Sequence, residues 1–129
     1  MVIDTSAIIA ILQSEPGSSE LVTALDDADA IRVSAATLVE AGLVMQARYG
    51  DEGEAELDRL LTGIGAMVMP VTEEHAMIAR DAYRRYGKGR HPAALNYGDC
   101  FSYALAIAFD EPLLHTGADF GRTDVKRAR

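Results

Sequence analysis

Short apolar runs alternate with longer amphipathic stretches along the 129-residue chain. That order predicts an α/β domain with a central parallel sheet of four to five strands and helices on both faces. Three observations carry the prediction. The apolar runs at residues 1–4, 31–34, 67–71 and 113–115 have the length of buried strands. The segments between them are long enough, and amphipathic enough, to be helices packed on a sheet. No internal repeat, low-complexity tract or interdomain linker interrupts the pattern, so residues 1–129 are read as a single domain.

Met1-Val2-Ile3 leads into Asp4 as the first strand, and a helix is expected over residues 6–14. Gly17-Ser18-Ser19-Glu20 opens a second helix, over 17–27, with capping chemistry at its start. Residues 31–34 form the second strand and 36–49 a helix stopped by Gly50. Over 52–63, Leu57, Leu60 and Leu61 share one face and acids take the other. The third strand, 67–71, is followed by Thr72-Glu73-Glu74, a helix start, and that helix runs to Tyr86 and ends at Gly87. Residues 97–109 are nearly all apolar and predict a central helix. A fourth strand lies at 113–115 and a fifth near Val125, with the tail 126–129 read as frayed.

Twelve Lys and Arg against twenty Asp and Glu give a formal charge of −8, and 49% of residues are hydrophobic. Such a chain can bury roughly two thirds of its unfolded surface. The sign argues against coating nucleic acid through a basic surface, although cations held by clustered acids would offset part of it. Uncharged runs stop short of a bilayer span and no basic n-region precedes an apolar one. Neither a transmembrane helix nor a signal peptide is expected. The single Cys100 can form no internal disulfide, which points to a reduced, cytoplasmic setting.

Four carboxylates stand at the edges of apolar segments: Asp4, Glu40, Asp99 and Asp119. A carboxylate at the border of a core is costly unless something pairs with it, and four that converge would hold a hard divalent cation. Ligands of a parallel sheet bind at the carboxyl ends of its strands. Asp4 ends the first strand, Glu40 lies early in the helix after the second, and Asp119 lies just past the fourth. Asp99, in the first turn of the apolar helix, stands where negative charge is favoured. Each has an ordinary explanation when taken alone: Asp99 as a helix acid, Asp119 as a turn residue, Asp4 as a cap. Glu40 is hardest to explain so, because Ala36, Thr37, Leu43 and Val44 make its helix face largely apolar.

Val2-Ile3-Asp4-Thr5-Ser6-Ala7, Glu40, the segment Asn96-Tyr97-Gly98-Asp99-Cys100-Phe101-Ser102 and the ending Pro112-Leu113-Leu114 through Gly117-Ala118-Asp119-Phe120 together resemble PIN-domain proteins. More narrowly, they look like the VapC-type ribonuclease toxins of bacterial toxin–antitoxin pairs. Their order and spacing carry the resemblance, which spans essentially the whole chain. It implies a PIN-like three-layer fold and an RNA endonuclease dependent on Mg2+ or Mn2+. By position, Asp4 and Asp99 would be the main metal ligands, with Glu40 and Asp119 completing the acidic pocket and Ser6 helping to hold Asp4. Asp124 competes with Asp119 for the fourth place. The implied partners are an RNA substrate and a cognate VapB-type antitoxin, the implied assembly a homodimer that forms a heterotetramer or larger complex with it. A PIN-like module without catalysis, serving only to bind antitoxin or regulate a promoter, is the competing class.

The stretch Tyr83-Arg84-Arg85-Tyr86-Gly87-Lys88-Gly89-Arg90 is the one basic cluster with interleaved aromatics. Lys88 and Arg90 are the candidate RNA contacts, since the glycines let a backbone phosphate come close. Its Gly-Lys pair lacks the spacing of a phosphate-binding P-loop. Cys100 reads as core, the three histidines lack zinc-ligand spacing, and Met45, Met67, Met69 and Met77 read as core fillers. A first-strand Asp also suggests phosphatases of the haloacid-dehalogenase type or receiver domains. These want a late Lys, and the only late one is tail Lys126.

Overall fold

In the computed structural model, which describes residues 1–128, four parallel strands alternate with six helices. The strands are β1 (Val2–Ile3), β2 (Arg32–Ser34), β3 (Met67–Met69) and β4 (Leu113–Leu114), in the sheet order β3-β2-β1-β4. The helices are α1 (Thr5–Leu12), α2 (Ser18–Asp26), α3 (Ala35–Tyr49), α4 (Asp51–Gly63), α5 (Glu73–Tyr86) and α6 (Tyr97–Phe109). A single 3₁₀ turn, Phe120–Arg122, follows β4.

Side chains of a strand point alternately to its two faces, and here each face has its own core. Val2 and Leu113 pack with Ala79 and Ala82 of α5 and with Tyr103, Leu105 and Ala106 of α6. Ile3, Val33 and Leu114 pack the other way, onto Ala7 and Ile8 of α1, Leu21 and Leu25 of α2, Ala41 of α3, and Leu57 and Leu61 of α4. The three layers are therefore helix, sheet and helix. Caps place the helices: Ser34 accepts the Ala36 N–H at 3.2 Å and Thr72 the His75 N–H at 3.1 Å, each satisfying an orphan donor.

The expected fifth strand near Val125 does not form. Leu113 meets Arg127 in an isolated parallel bridge, with Leu113 N–H donating to the Lys126 carbonyl and Ala128 N–H to the Leu113 carbonyl. One bridge fixes the register without extending a ladder. Residues 126–128 are accordingly tied to β4 rather than frayed, and Arg129 lies outside the described residues. The expectation that the methionines fill the core holds for Met45, whereas Met67 and Met77 are 43% and 50% exposed. Met67 is on the sheet's edge strand and Met77 on the outer side of α5, where no further layer covers them.

The strand order reverses beside β1, since β2 and β4 flank it on opposite sides. Crossovers leave opposite ways at that point and open a crevice at the carboxyl ends of β1 and β4. Asp4 directly follows β1, and Asp119 lies five residues past β4.

Candidate functional site

Asp4 leaves β1 and caps α1. Its Oδ2 accepts the Ser6 N–H at 3.0 Å, while Oδ1 is buried and has no hydrogen-bond partner. The residue is 2% exposed. An ionised oxygen shut away from water without a partner is costly, so the site is built to receive a positive or proton-donating group there.

Asp99 enters from the N-terminus of α6, in a reciprocal capping box: Asn96 Oδ1 accepts the Asp99 N–H at 2.9 Å, and Asp99 Oδ2 accepts the Asn96 N–H at 3.0 Å. Its carboxyl is pushed up to about 6. Burial is the chief cause, the Asn96 N–H opposes it, and the charges of Asp4, Glu40 and Asp119 raise it further. Asp4, Glu40 and Asp119 thus lie within electrostatic reach of Asp99, although far from it along the chain.

Of the residues at helical spacing from Glu40, Thr37 is buried, Ala36 and Val44 are half-buried and Leu43 is 66% exposed, so its helix face is of mixed burial. The Thr5 hydroxyl donates to Glu40 Oε1 at 2.5 Å, and the carboxylate lies against the backbone of α6 at Gly98. A Cβ built on Gly98 would stand 2.6 Å from Glu40 Cδ, closer than packed atoms come. Ser6 has a second task besides holding Asp4. Its backbone N–H holds Asp4, while its hydroxyl accepts the Thr116 N–H at 3.1 Å and ties α1 to the loop after β4. Asp119 is exposed at the head of the 3₁₀ turn and makes no side-chain cap.

Asp124 stands apart from this cluster. The Tyr103 hydroxyl donates to it at 2.5 Å and Arg85 at 3.3 Å. Against burial, which acts to raise it, those two donors hold the Asp124 carboxyl below its usual range. Asp119, and not Asp124, is among the charges that raise Asp99.

Among the described residues, no three His, Cys, Asp or Glu side chains stand in metal-ligating geometry as they are posed. The reason is local: Glu40 leans on Thr5, Asp99 on its capping box, and Asp4 offers one oxygen. The donor chemistry nonetheless suits a hard cation, since the set is all carboxylate, one oxygen is buried without a partner, and one carboxyl is destabilised by the others' charge. Cys100 is no rival centre, because burial first and the Asp99 charge second push its thiol up to about 11.

Lys88 and Arg90 sit on the exposed turn between α5 and α6. Lys88 N–H donates to the Leu95 carbonyl at 2.9 Å, and the Arg90 guanidinium lies 5.8 Å from the Tyr83 ring centre. Sequence reading missed Thr5, Gly98 and Asn96. Asn96-x-x-Asp99 is a capping pattern that points to itself, and a glycine in a first helical turn marks close approach. Nothing in sequence ties Thr5 to a residue 35 positions away.

The PIN domain family profile matches residues 1–126. Ribonuclease VapC28 of Mycobacterium tuberculosis is 49% identical over 129 residues, covering 99% of this chain and 97% of that protein. Of solved structures, the sarcin–ricin loop cleaving toxin VapC20 of M. tuberculosis matches with a TM-score of 0.77 at 16% identity, over 96% of this chain and 95% of that one. VapBC2 of Rickettsia felis, bound to a DNA fragment from its promoter, matches at 0.76 and 14% identity, over 98% and 94%. At such identities the two structures speak for the fold alone. The three-layer fold with acids at its switch point is that of a PIN domain, and the chain belongs to the PIN-domain family. Within it, the full-length likeness at 49% identity is to the VapC-type ribonucleases.

Proposed function

We propose that the chain is the toxin of a toxin–antitoxin pair, an endoribonuclease that hydrolyses RNA phosphodiester bonds at the acidic cluster with Mg2+ or Mn2+. One observation carries the reading: the buried, unpartnered Asp4 oxygen at the strand switch point, within electrostatic reach of Asp99, on which Glu40 and Asp119 also act. Asp4 and Asp99 would hold the cation, with Glu40 and Asp119 beside them. When bound there, it would supply Lewis-acid charge at the phosphoryl group and an acidified water.

The chain's own residues account for the rest. Asp4 is fixed by the Ser6 N–H, so its free oxygen is held in place before anything binds. Thr5 orients Glu40 from one side and Gly98 makes room for it on the other, and the carboxylate so held would position a water or take its proton. Asp99, whose carboxyl is pushed up to about 6 by burial and by its neighbours' charge, would give up its proton to a bound cation. Lys88 and Arg90 would contact the RNA backbone, and an acidic surface of net charge −8 suits a basic segment of the antitoxin. The homodimer belongs to the same reading. Among the described residues, no helix is long and apolar enough to cross a membrane.

The test is cleavage of end-labelled RNA with Mg2+, with and without chelator, by wild type, Asp4→Asn and Asp99→Asn. Cutting by wild type, lost in the chelator and in both variants, supports the reading. Cutting that survives the chelator or either substitution contradicts the metal site. Fragments ending in a 2′,3′-cyclic phosphate would contradict attack by water.

A further inference from the structure

Between α5 and α6 runs an open groove of about 680 Å³, the size of pockets that take a small planar group. Ala76, Ala79 and Cys100 form its floor, and Tyr83, Tyr97 and Phe101 its aromatic sides. Tyr97 is 80% exposed and packs edge-on against Phe101, with ring centres 4.9 Å apart. Nothing in the fold covers its outer face.

The charge around the groove runs opposite to that of the chain. The protein carries −8 overall, yet the groove is lined by Arg80, Arg84 and Lys88 and by no carboxylate. Arg84 pairs with Asp81 at 3.4 Å, while among the described residues Arg80 and Lys88 have no ion-pair partner. At one end the lining includes Asn96, whose side chain and N–H are bonded to Asp99. One residue of the groove's lining is thus hydrogen-bonded to a member of the acidic cluster.

Aromatic faces with cations alongside are how proteins hold single-stranded nucleic acid: rings stack on bases and cations follow the phosphates. We infer that the α5–α6 groove is a nucleobase subsite, in which an unstacked base next to the scissile phosphate lies against Tyr97 while Arg80 and Lys88 meet its flanking phosphates. This rests on the ribonuclease reading and gives it a substrate class, single-stranded RNA with a base that can be splayed out. A phosphate-only contact would need the cations and not the exposed rings. A second copy of this chain would have to bring acids to the groove's cationic lining.

The test uses the full chain with chelator present, so that RNA is bound and not cut. Two fluorescein-labelled single strands of equal length are titrated by anisotropy, an oligoribonucleotide and its abasic ribose–phosphate counterpart. Tyr97→Ala should weaken the base-bearing strand about fivefold or more, the factor that stacking one base supplies. It should leave the abasic strand unchanged. Tyr97→Phe should restore binding, and Lys88→Ala should weaken both strands. Because Tyr97 and Lys88 are exposed, the variants are expected to keep the wild-type melting temperature.

Equal affinity of wild type and Tyr97→Ala for the base-bearing strand overturns the subsite. If wild type still cuts RNA with Mg2+, the ribonuclease reading survives that result. If wild type neither cuts nor binds RNA, both fall together. Light scattering covers the remaining occupant: should Tyr97→Ala turn a dimer into a monomer without changing RNA affinity, the groove belongs to a second copy and the inference is overturned.

Discussion

A methyl group at position 98 would enter the space that the Glu40 carboxylate fills. The clash falls on the end of a flexible side chain, so the fold can yield by moving Glu40, and that movement is the cost to function. Gly98→Ala should lower kcat by about tenfold to a hundredfold, the usual effect of displacing a catalytic group by about an ångström. Stability should hold or rise by up to about 1 kcal/mol, because Ala favours a helix over Gly. Steady-state kinetics beside a urea melt check both, and unchanged kcat would show that Glu40 does not need its seat. Asp4 and Asp99 were legible in the sequence because each borders an apolar segment. The manner in which Glu40 is held was not: of the residues at its helical spacing, Thr37 is buried and Leu43 faces outward, so that face gives no single signal. Its true partners, Thr5 and Gly98, come from other elements and meet it only in the fold.

At the scale of elements, α3 brings Glu40 and α6 brings Asp99, and the two helices are joined by a buried contact. Thr37 Oγ1 and Ser102 Oγ lie 3.2 Å apart, both almost wholly inaccessible. Removing one hydroxyl strands the other without solvent, which costs more than removing both. Thr37→Val should therefore destabilise the protein by about 1–2 kcal/mol, and adding Ser102→Ala should recover part of that loss. Chemical denaturation of the two singles and the double closes the cycle. Strict additivity would mean that the hydroxyls do not depend on each other. Helices and strands were readable from apolar periodicity, and α6 has the bounds its uncharged run predicts. The fifth strand was not, since Val125 looks like strand sequence but residues 126–128 reach β4 through one bridge only. Ser102, three residues on from Asp99 in the segment that carries the family resemblance, serves the helix–helix contact.

Over the whole molecule, the acidic cluster is a strained feature of a chain already carrying −8. Asp99 sits at about 6, above the ordinary 3.8 of its carboxyl. A raised folded value means that the native state holds this proton more tightly than the unfolded chain does. Its contribution to stability is fully present below about 4 and is lost as the pH rises through 6. At neutral pH the protein thus keeps an unfavourable charge that a divalent cation would relieve, and proton and cation compete for it. Mn2+ titration of the full chain, read by electron paramagnetic resonance at pH 8 and pH 5 in wild type, Asp4→Asn and Asp99→Asn, tests this most directly. The account predicts binding at pH 8 that weakens at pH 5 and falls at least about tenfold in either variant, no less than the loss of an outer-shell partner costs. Wild-type affinity in Asp4→Asn, or binding indifferent to pH across 6, would contradict it.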